Sequence, residues 1–385
     1  MKYIKDYNIA NKKVLLRCDF NVSIKDNKII DDTKIIKSLE TINYLLNKNN
    51  KIIIFSHLGK VKSEQDKEKN TLYPVYLRLK ELVNANVYFS KEAYGKELEK
   101  LSNNLKEKEI LLVENTRYLD FPNKLESSCD LDLSKYWANL GDVFVNDAFG
   151  TTHRRHASNY GISKYIDSYY GILINEELTK LKELTTHPER PFTVIMGGAK
   201  VDDKLKLIEE MLKNCDKLIV GGGIANTFLL AKGINVGKSL CNSDFINEIQ
   251  DILNKYDNKI ILPTDFYVDN NNKKEYRKIN DLTNEDTIYD IGEESLNLYK
   301  DIINNSNTIF INGTVGMYEN KEYEYGTKKL FEILKDSNKK VFVGGGDAVS
   351  ATNKLGYKDS FYYKSTGGGA TLEYIIEKKL IVLED

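Results

Sequence analysis

At 385 residues the chain is long enough for two domains, each able to bury its own core. Fifty-six lysines and arginines balance 57 aspartates and glutamates, a formal net charge of −1 that removes any global electrostatic case for nucleic acid. Cys18, Cys129, Cys215 and Cys241 show no paired metal spacing, no stretch nears the ~18 apolar residues of a membrane span, and polar Lys2, Lys5 and Asp6 follow Met1 where a signal peptide turns apolar, so a cytoplasmic chain is expected.

Short β-rich runs alternate with longer segments of 3.6-residue period along the whole sequence. The first half reads as a strand at 14–16, a helix over 33–46, a strand over 51–55 and a helix over 73–82. A strand at 87–89, a helix over 91–101, a strand over 110–113, a helix over 131–140 and a strand at 143–145 follow. An amphipathic segment over 174–184 closes in Thr185-Thr186-His187-Pro188-Glu189-Arg190-Pro191, whose two prolines mark a domain boundary. Strands then recur over 192–196, 217–220, 259–262, 308–311 and 340–343, and the charged, asparagine-rich stretch 269–284 reads as a surface excursion or hairpin. Continuous apolar strands joined by helices predict an α/β fold of parallel sheets covered on both faces. Ligands of such sheets gather at the carboxyl ends of the strands.

That is where the unusual residues stand. Arg17-Cys18-Asp19-Phe20-Asn21, Ser56-His57-Leu58-Gly59-Lys60, Glu114-Asn115-Thr116-Arg117 and the run from Asn146-Asp147 to His153-Arg154-Arg155-His156 each follow a first-half strand. Arginine occurs only seven times in this lysine-rich chain, yet it is used at Arg17, Arg117 and Arg154. Bidentate anion recognition is what arginine does and lysine does poorly. If the four clusters share one rim, they form a cationic cup for a small multiply charged anion. In the second half Gly197-Gly198-Ala199-Lys200, Gly221-Gly222-Gly223, Gly344-Gly345-Gly346-Asp347 and Ser365-Thr366-Gly367-Gly368-Gly369 repeat a strand–glycine–helix arrangement. Bare glycines at a helix start leave N–H groups free to wrap phosphate, so four such turns point to a nucleotide site.

In order and spacing these motifs resemble the phosphoglycerate kinase family across essentially the whole chain. The resemblance implies two similar-sized lobes, each a mainly parallel sheet with helices on both faces, joined by a hinge helix. Residues 1–170 would bind 3-phosphoglycerate, 171–186 would be the connecting helix, 187–366 would bind nucleotide, and 367–385 would return toward the first lobe. The implied activity is reversible phosphoryl transfer between 1,3-bisphosphoglycerate and ADP, giving 3-phosphoglycerate and ATP, with direct in-line transfer after hinge closure. Magnesium, a monomeric state and small-molecule substrates alone are implied with it. Asp19 and Asn21 would hold the glycerate hydroxyl and carboxyl end, with Arg17 nearby, and His57, Lys60, Arg117 and Arg154 the phosphate and carboxylate. Phe20, Leu58 and Gly59 belong to the same substrate motifs. Lys200 would follow the transferring phosphoryl group, Lys204 the nucleotide phosphates, Glu319 the ribose and Asp347 the Mg²⁺. Gly198, Asn312, Gly345, Gly346 and Ala348 complete the nucleotide side, and Gly368 joins Lys34 and Lys200 as a catalytic group.

The pattern is broken in places. The family's catalytic arginine falls on Lys34, which keeps charge but loses the planar fork. Lys60 likewise replaces an arginine, Val61 and Ser23 stand at proline positions, and Ile311, Thr314 and Val315 stand where tryptophan, proline and methionine are usual. Lys34 therefore leaves a second reading open: a catalytically weakened homologue kept for ligand binding or regulation. A P-loop enzyme is excluded, because Gly233-Ile234-Asn235-Val236-Gly237-Lys238-Ser239 is one residue short and follows a helical run. No Gly-x-Gly-x-x-Gly opens a helix after a strand, which argues against a dinucleotide oxidoreductase. His153-Arg154-Arg155-His156 has neither zinc spacing nor interleaved aromatics.

Overall fold

Runs of leucine and β-branched residues without polar alternation form strands that are buried on both faces. The computed structural model describes residues 1–383. Six such strands build a first, wholly parallel sheet: β1 (Lys13–Arg17), β2 (Lys51–Phe55), β3 (Val87–Ser90), β4 (Ile110–Val113), β5 (Val143–Asn146) and β6 (Ser168–Tyr170), in the order β3-β4-β2-β1-β5-β6. Alternation along each strand feeds two cores. Val14, Leu16, Ile52 and Ile54 meet Ile35, Ile42 and Leu45 of the helix Thr33–Asn47 on one face. Leu15, Ile53, Leu111 and Phe144 meet Leu133 and Trp137 of the helix Leu131–Ala138 on the other.

A second parallel sheet is made by β7 (Phe192–Met196), β8 (Lys217–Val220), β9 (Ile260–Ile261), β13 (Thr308–Asn312), β14 (Lys340–Gly344) and β15 (Tyr363–Lys364). Its order is β9-β8-β7-β13-β14-β15. Between β9 and β13 the chain adds an antiparallel sheet of β10 (Asp265–Asn270), β11 (Lys273–Lys278) and β12 (Asp286–Ile291), ordered β11-β10-β12. The hairpin expected in 269–284 is β10–β11, turned by Asn271 and Asn272 in the left-handed region at φ 52° and 63°. The third strand was not foreseen, because Asp286 and Asp290 interrupt its apolar run.

The chain divides into two units: Met1–Thr179 together with the end from Lys379, and Lys180–Lys378. The boundary falls inside the helix Ile172–Thr186. The tail that joins the first unit starts at Lys379 and not at 367. The helix Gly369–Glu377 packs on Leu205–Asn214, and Lys378 pairs with Glu210 at 3.5 Å, both within the second unit. Past it, the Val382 N–H donates to the Thr152 carbonyl (3.1 Å), and its carbonyl accepts from the Tyr170 hydroxyl (3.2 Å). The helix expected over 91–101 is Lys96–Asn104 instead, since Gly95 at φ 116° cannot continue a helix. No helix among the described residues is long and apolar enough to cross a membrane.

Candidate active site

Parallel register decides which loops meet. Arg17, the last residue of β1, pairs with Phe55 of β2 and with Asn146 of β5, while Ile54 pairs with Leu112 of β4. The loops that open at Cys18, Ser56, Glu114 and Asp147 therefore leave one rim at one level. Asn115 ties its own loop to the one that opens at Ser56. Its Oδ1 accepts from the N–H groups of Leu58 (3.1 Å) and Arg117 (3.0 Å), and its Nδ2 donates to the carbonyls of Leu58 (2.7 Å) and Asn70 (2.8 Å). Phe20 and Leu58 are buried, and the Phe20 N–H donates to Ser56 Oγ (2.8 Å), so both hold the rim's shape from inside. Asn21 Oδ1 accepts the Gly59 N–H at 2.9 Å.

The electrostatics show that the cations converge. His156 is pushed down to about 3, first by burial and then by the fields of Arg117, Arg17 and Arg154. His57, which lies on the rim, is held well below its usual range by burial, and Arg17, Arg117 and Lys34 add to the effect against Asp19. Asp19 shows the converse. Burial alone would raise its carboxyl, yet Lys34, His57 and Arg17 overcome this and bring it to about 2. Lys34 Nζ sits 2.8 Å from Asp19 Oδ2, and Arg117 Nη1 donates to Asp120 Oδ2 at 3.1 Å. Arg17 is wholly buried, half-buried Arg117 follows it on the rim, and Arg154 and Lys60 are exposed. Arg17, Lys34, His57 and Arg117 thus act on one another directly, with Arg154 in the same field.

In the second unit Val220, Met196, Asn312 and Gly344 stand in register across β8, β7, β13 and β14, so the glycine turns begin side by side. Their contacts explain the glycines. A Cβ on Gly223 would lie 2.1 Å from the Ala199 carbonyl oxygen, and one on Gly313 (φ 82°) 2.1 Å from that of Gly197. No side chain fits between turns that touch through backbone. Gly346 and Gly368 differ, since a Cβ there would meet nothing within 4 Å. Gly346 opens the helix Gly346–Lys354, and Gly368 caps Gly369–Glu377. The first-turn N–H groups of such helices have no acceptor within the helix, and these two starts face open space. A cavity of about 600 Å³ is lined by Gly198, Gly222, Asn226, Val315, Glu319 and Asp347 among others. Lys204 Nζ donates to the Gly197 carbonyl at 2.6 Å, and Lys200 and Asp347 are exposed. Ala348 is buried behind Asp347. Asn312 Nδ2 donates to the Gly344 carbonyl (2.8 Å), and its buried Oδ1 has no protein partner.

Gly223→Ala tests the close approach. The added methyl should cost about 1–3 kcal/mol of stability and weaken ADP binding together, read by urea unfolding and calorimetric titration. An unchanged midpoint with unchanged affinity would refute the reading of this contact.

Several supporting residues lie outside the sequence motifs: Asp120, Glu126, Ser158 and Asn226. Serine and acidic residues are too common in loops to signal a role, and only the fold brings Ser158 to Arg17. The near-Walker stretch 233–239 is a turn whose Lys238 pairs with Glu285, and its Gly233 follows the helix Gly222–Ala231.

Cations gathered for one polyanion and bare backbone gathered for another are the equipment of a phosphotransferase. The comparisons specify which. The family model for phosphoglycerate kinase matches residues 4–378. A phosphoglycerate kinase of Fusobacterium nucleatum is 44% identical over 98% of this chain and 97% of its own length, and one of Mycoplasmoides gallisepticum is 44% identical over 100% and 97%. The solved phosphoglycerate kinase of Coxiella burnetii superposes with a TM-score of 0.86 at 33% identity, covering 99% of this chain and 97% of that one. That of Pyrococcus horikoshii gives 0.86 at 30% identity, over 100% and 98%. The chain belongs to the phosphoglycerate kinase family.

Proposed function

We infer that the chain catalyses reversible phosphoryl transfer between 1,3-bisphosphoglycerate and ADP, in glycolysis and in the cytoplasm, with 3-phosphoglycerate on the rim of the first unit and nucleotide in the cavity of the second. The observation that carries this division is the pair of registers: one aligns cationic loops, the other aligns glycine turns. The weakened-homologue reading finds no support, since the relatives above all carry the enzyme's name.

The chemistry suits these residues. An acyl phosphate and a diphosphate exchange a phosphoryl group between oxygens that are already ionised, so no general base is needed. What is needed is in-line placement of two polyanions and neutralisation of the equatorial oxygens of the moving group. Arg17, Asp19, Asn21, His57, Lys60, Arg117 and Arg154 would fix the glycerate partner. Lys204 and the N–H groups at Gly345, Gly346 and Gly368 would fix the nucleotide phosphates, Glu319 and Asn312 its ribose end, and Lys200 and Lys34 would meet the transferred group. Transfer would follow once hinge closure brings the two ligands in line in a monomer.

Asp347 would hold Mg²⁺. No group of three His, Cys, Asp or Glu side chains among the described residues could cage a metal. One exposed carboxylate at a helix start fits an ion that takes one or two protein oxygens and completes its shell with water and phosphate. When bound, such an ion neutralises phosphate charge.

The direct test is ADP formation from ATP that requires both 3-phosphoglycerate and magnesium. Turnover should appear with 3-phosphoglycerate and vanish when glycerol replaces it. Phosphorylation of glycerol, a neutral hydroxyl acceptor, would overturn the reading.

A further inference from the structure

Behind the substrate rim lie two buried groups, Glu126 and Ser158, that the phosphoryl-transfer reading does not use. Glu126 is wholly buried, and three donors converge on its carboxylate. Ser158 Oγ (2.5 Å) and Thr116 Oγ1 (3.1 Å) donate to Oε1, and the Ser158 N–H (2.9 Å) donates to Oε2. Only an acceptor-only carboxylate satisfies all three, because an amide would set its own N–H against a donor. A serine hydroxyl carries one proton. With that proton given to Glu126, Ser158 Oγ is left as an acceptor, and Arg17 Nε donates to it at 2.7 Å. Arg17 Nη1 donates to the Cys18 carbonyl. The guanidinium plane is thereby pinned at two points, and its remaining nitrogen, Nη2, lies 3.2 Å from His57 Nδ1.

A guanidinium in a protein can only donate. His57 Nδ1 must therefore be the acceptor, and the imidazole proton sits on Nε2. We propose that Glu126 and Ser158 are positioning residues that act through Arg17 to hold His57 as the neutral Nε2–H tautomer, a fixed hydrogen-bond donor for the anionic substrate. A second proton on His57 would face the Arg17 N–H head on. The other charged groups that act on this ring are Asp19, Arg117 and Lys34, one anion against two further cations, and burial works in the same direction as the cations. The ring's use as a donor rests on the substrate reading above; its tautomer does not.

The test uses the full-length chain labelled with ¹⁵N-histidine. Four histidines give four ring spin systems, and His57→Gln assigns the one at stake. Two-bond ¹⁵N–¹H correlation spectra between about pH 5.5 and 8, the window in which an ordinary histidine titrates, should show a neutral Nε2–H ring throughout. In Ser158→Ala the Arg17 anchor is lost. His57 should then show mixed tautomers or begin to titrate, while KM for 3-phosphoglycerate rises about tenfold, the scale of one lost hydrogen bond to a charged group. The KM for ATP and kcat should stay within about twofold, a split that general loss of structure would not give. Glu126→Gln should move the spectrum and KM the same way. A parent ring found as the Nδ1–H form or as a cation near pH 6 would overturn the relay, whether or not the variants fold. So would Ser158→Ala with the parent's spectrum and KM. The expected spectrum without 3-phosphoglycerate binding would leave the relay standing and sink the substrate reading instead.

Discussion

Lys34→Ala is expected to lower kcat about 10²–10³-fold, the usual scale for removing one donor to transition-state charge. KM for both substrates should move little. Lys34 stands in the first turn of the helix Thr33–Asn47, and its ammonium is 2.8 Å from Asp19 Oδ2, with the lysine side chain 29% exposed and the aspartate 9%. That pair is shielded enough to persist. The cationic surroundings hold the Asp19 carboxyl down to about 2, so the partner stays ionised at any working pH. An ammonium carries three donors on one compact charge, so one can hold Asp19 while another reaches a phosphoryl group, but the first contact does not fix the direction of the second. A guanidinium does fix it. Its planar fork keeps one edge on Asp19 and offers the other to the moving group. Lys34→Arg should therefore retain the pair and raise kcat several-fold, the scale of the about 1 kcal/mol that one hydrogen bond contributes. A steady-state coupled assay on the three proteins reads both effects. Alanine within threefold of the parent would show that Lys34 is not the donor.

The architecture was legible because its strands are unusual text. Ile110–Val113 and Phe192–Met196 are buried at every position, and a short apolar or β-branched run between helical stretches has few other meanings. Glycine turns were legible for the same reason, since only backbone-to-backbone approach explains Gly197 and Gly223 together. What stayed hidden depends on contacts far apart in the sequence. Residues 91–95 carry helix-forming Lys91, Glu92 and Ala93, and only Gly95 at φ 116° shows that the helix waits until Lys96. β12 owes its place to pairing with β10 and not to its own alternation. The site divides in the same way. The charged side chains proposed to meet ligand sit in motifs, whereas Glu126 and Ser158, which hold them, are ordinary loop residues until the fold assembles them.

Asp147 shows what such a hidden group does to stability. Its carboxyl is wholly buried, and burial raises it to about 7 despite hydrogen bonds from the N–H groups of Leu173 (2.9 Å) and Ile174 (3.3 Å) to Oδ1. Those N–H groups open the helix Ile172–Thr186, so the aspartate caps the element that carries the boundary between the units. The Thr41 hydroxyl favours the charged form as well, but burial outweighs all three. The sign follows from proton counting. Unfolded, the group releases its proton near 3.8; folded, it keeps it until about 7. Between those values the native state binds more protons, so the stability contribution is full at low pH, falls as pH rises toward 7, and is flat above. A shift of that size corresponds to at most about 4 kcal/mol. Trp137, the single tryptophan, is buried in the same unit, so urea unfolding followed by its fluorescence reports this unit. From about pH 5 to about pH 8 ionisation of Asp147 should cost the parent a few kcal/mol, while His57 and His156, kept neutral by the fold in the same unit, push the other way in parent and variant alike. Asp147→Asn keeps the acceptor oxygen for Leu173 and Ile174 and cannot ionise, so its loss over the same range should be smaller by most of that amount. Parallel pH dependences in the two proteins would mean that Asp147 stays ionised in the fold, and that the helix start tolerates a buried charge which burial ought to expel.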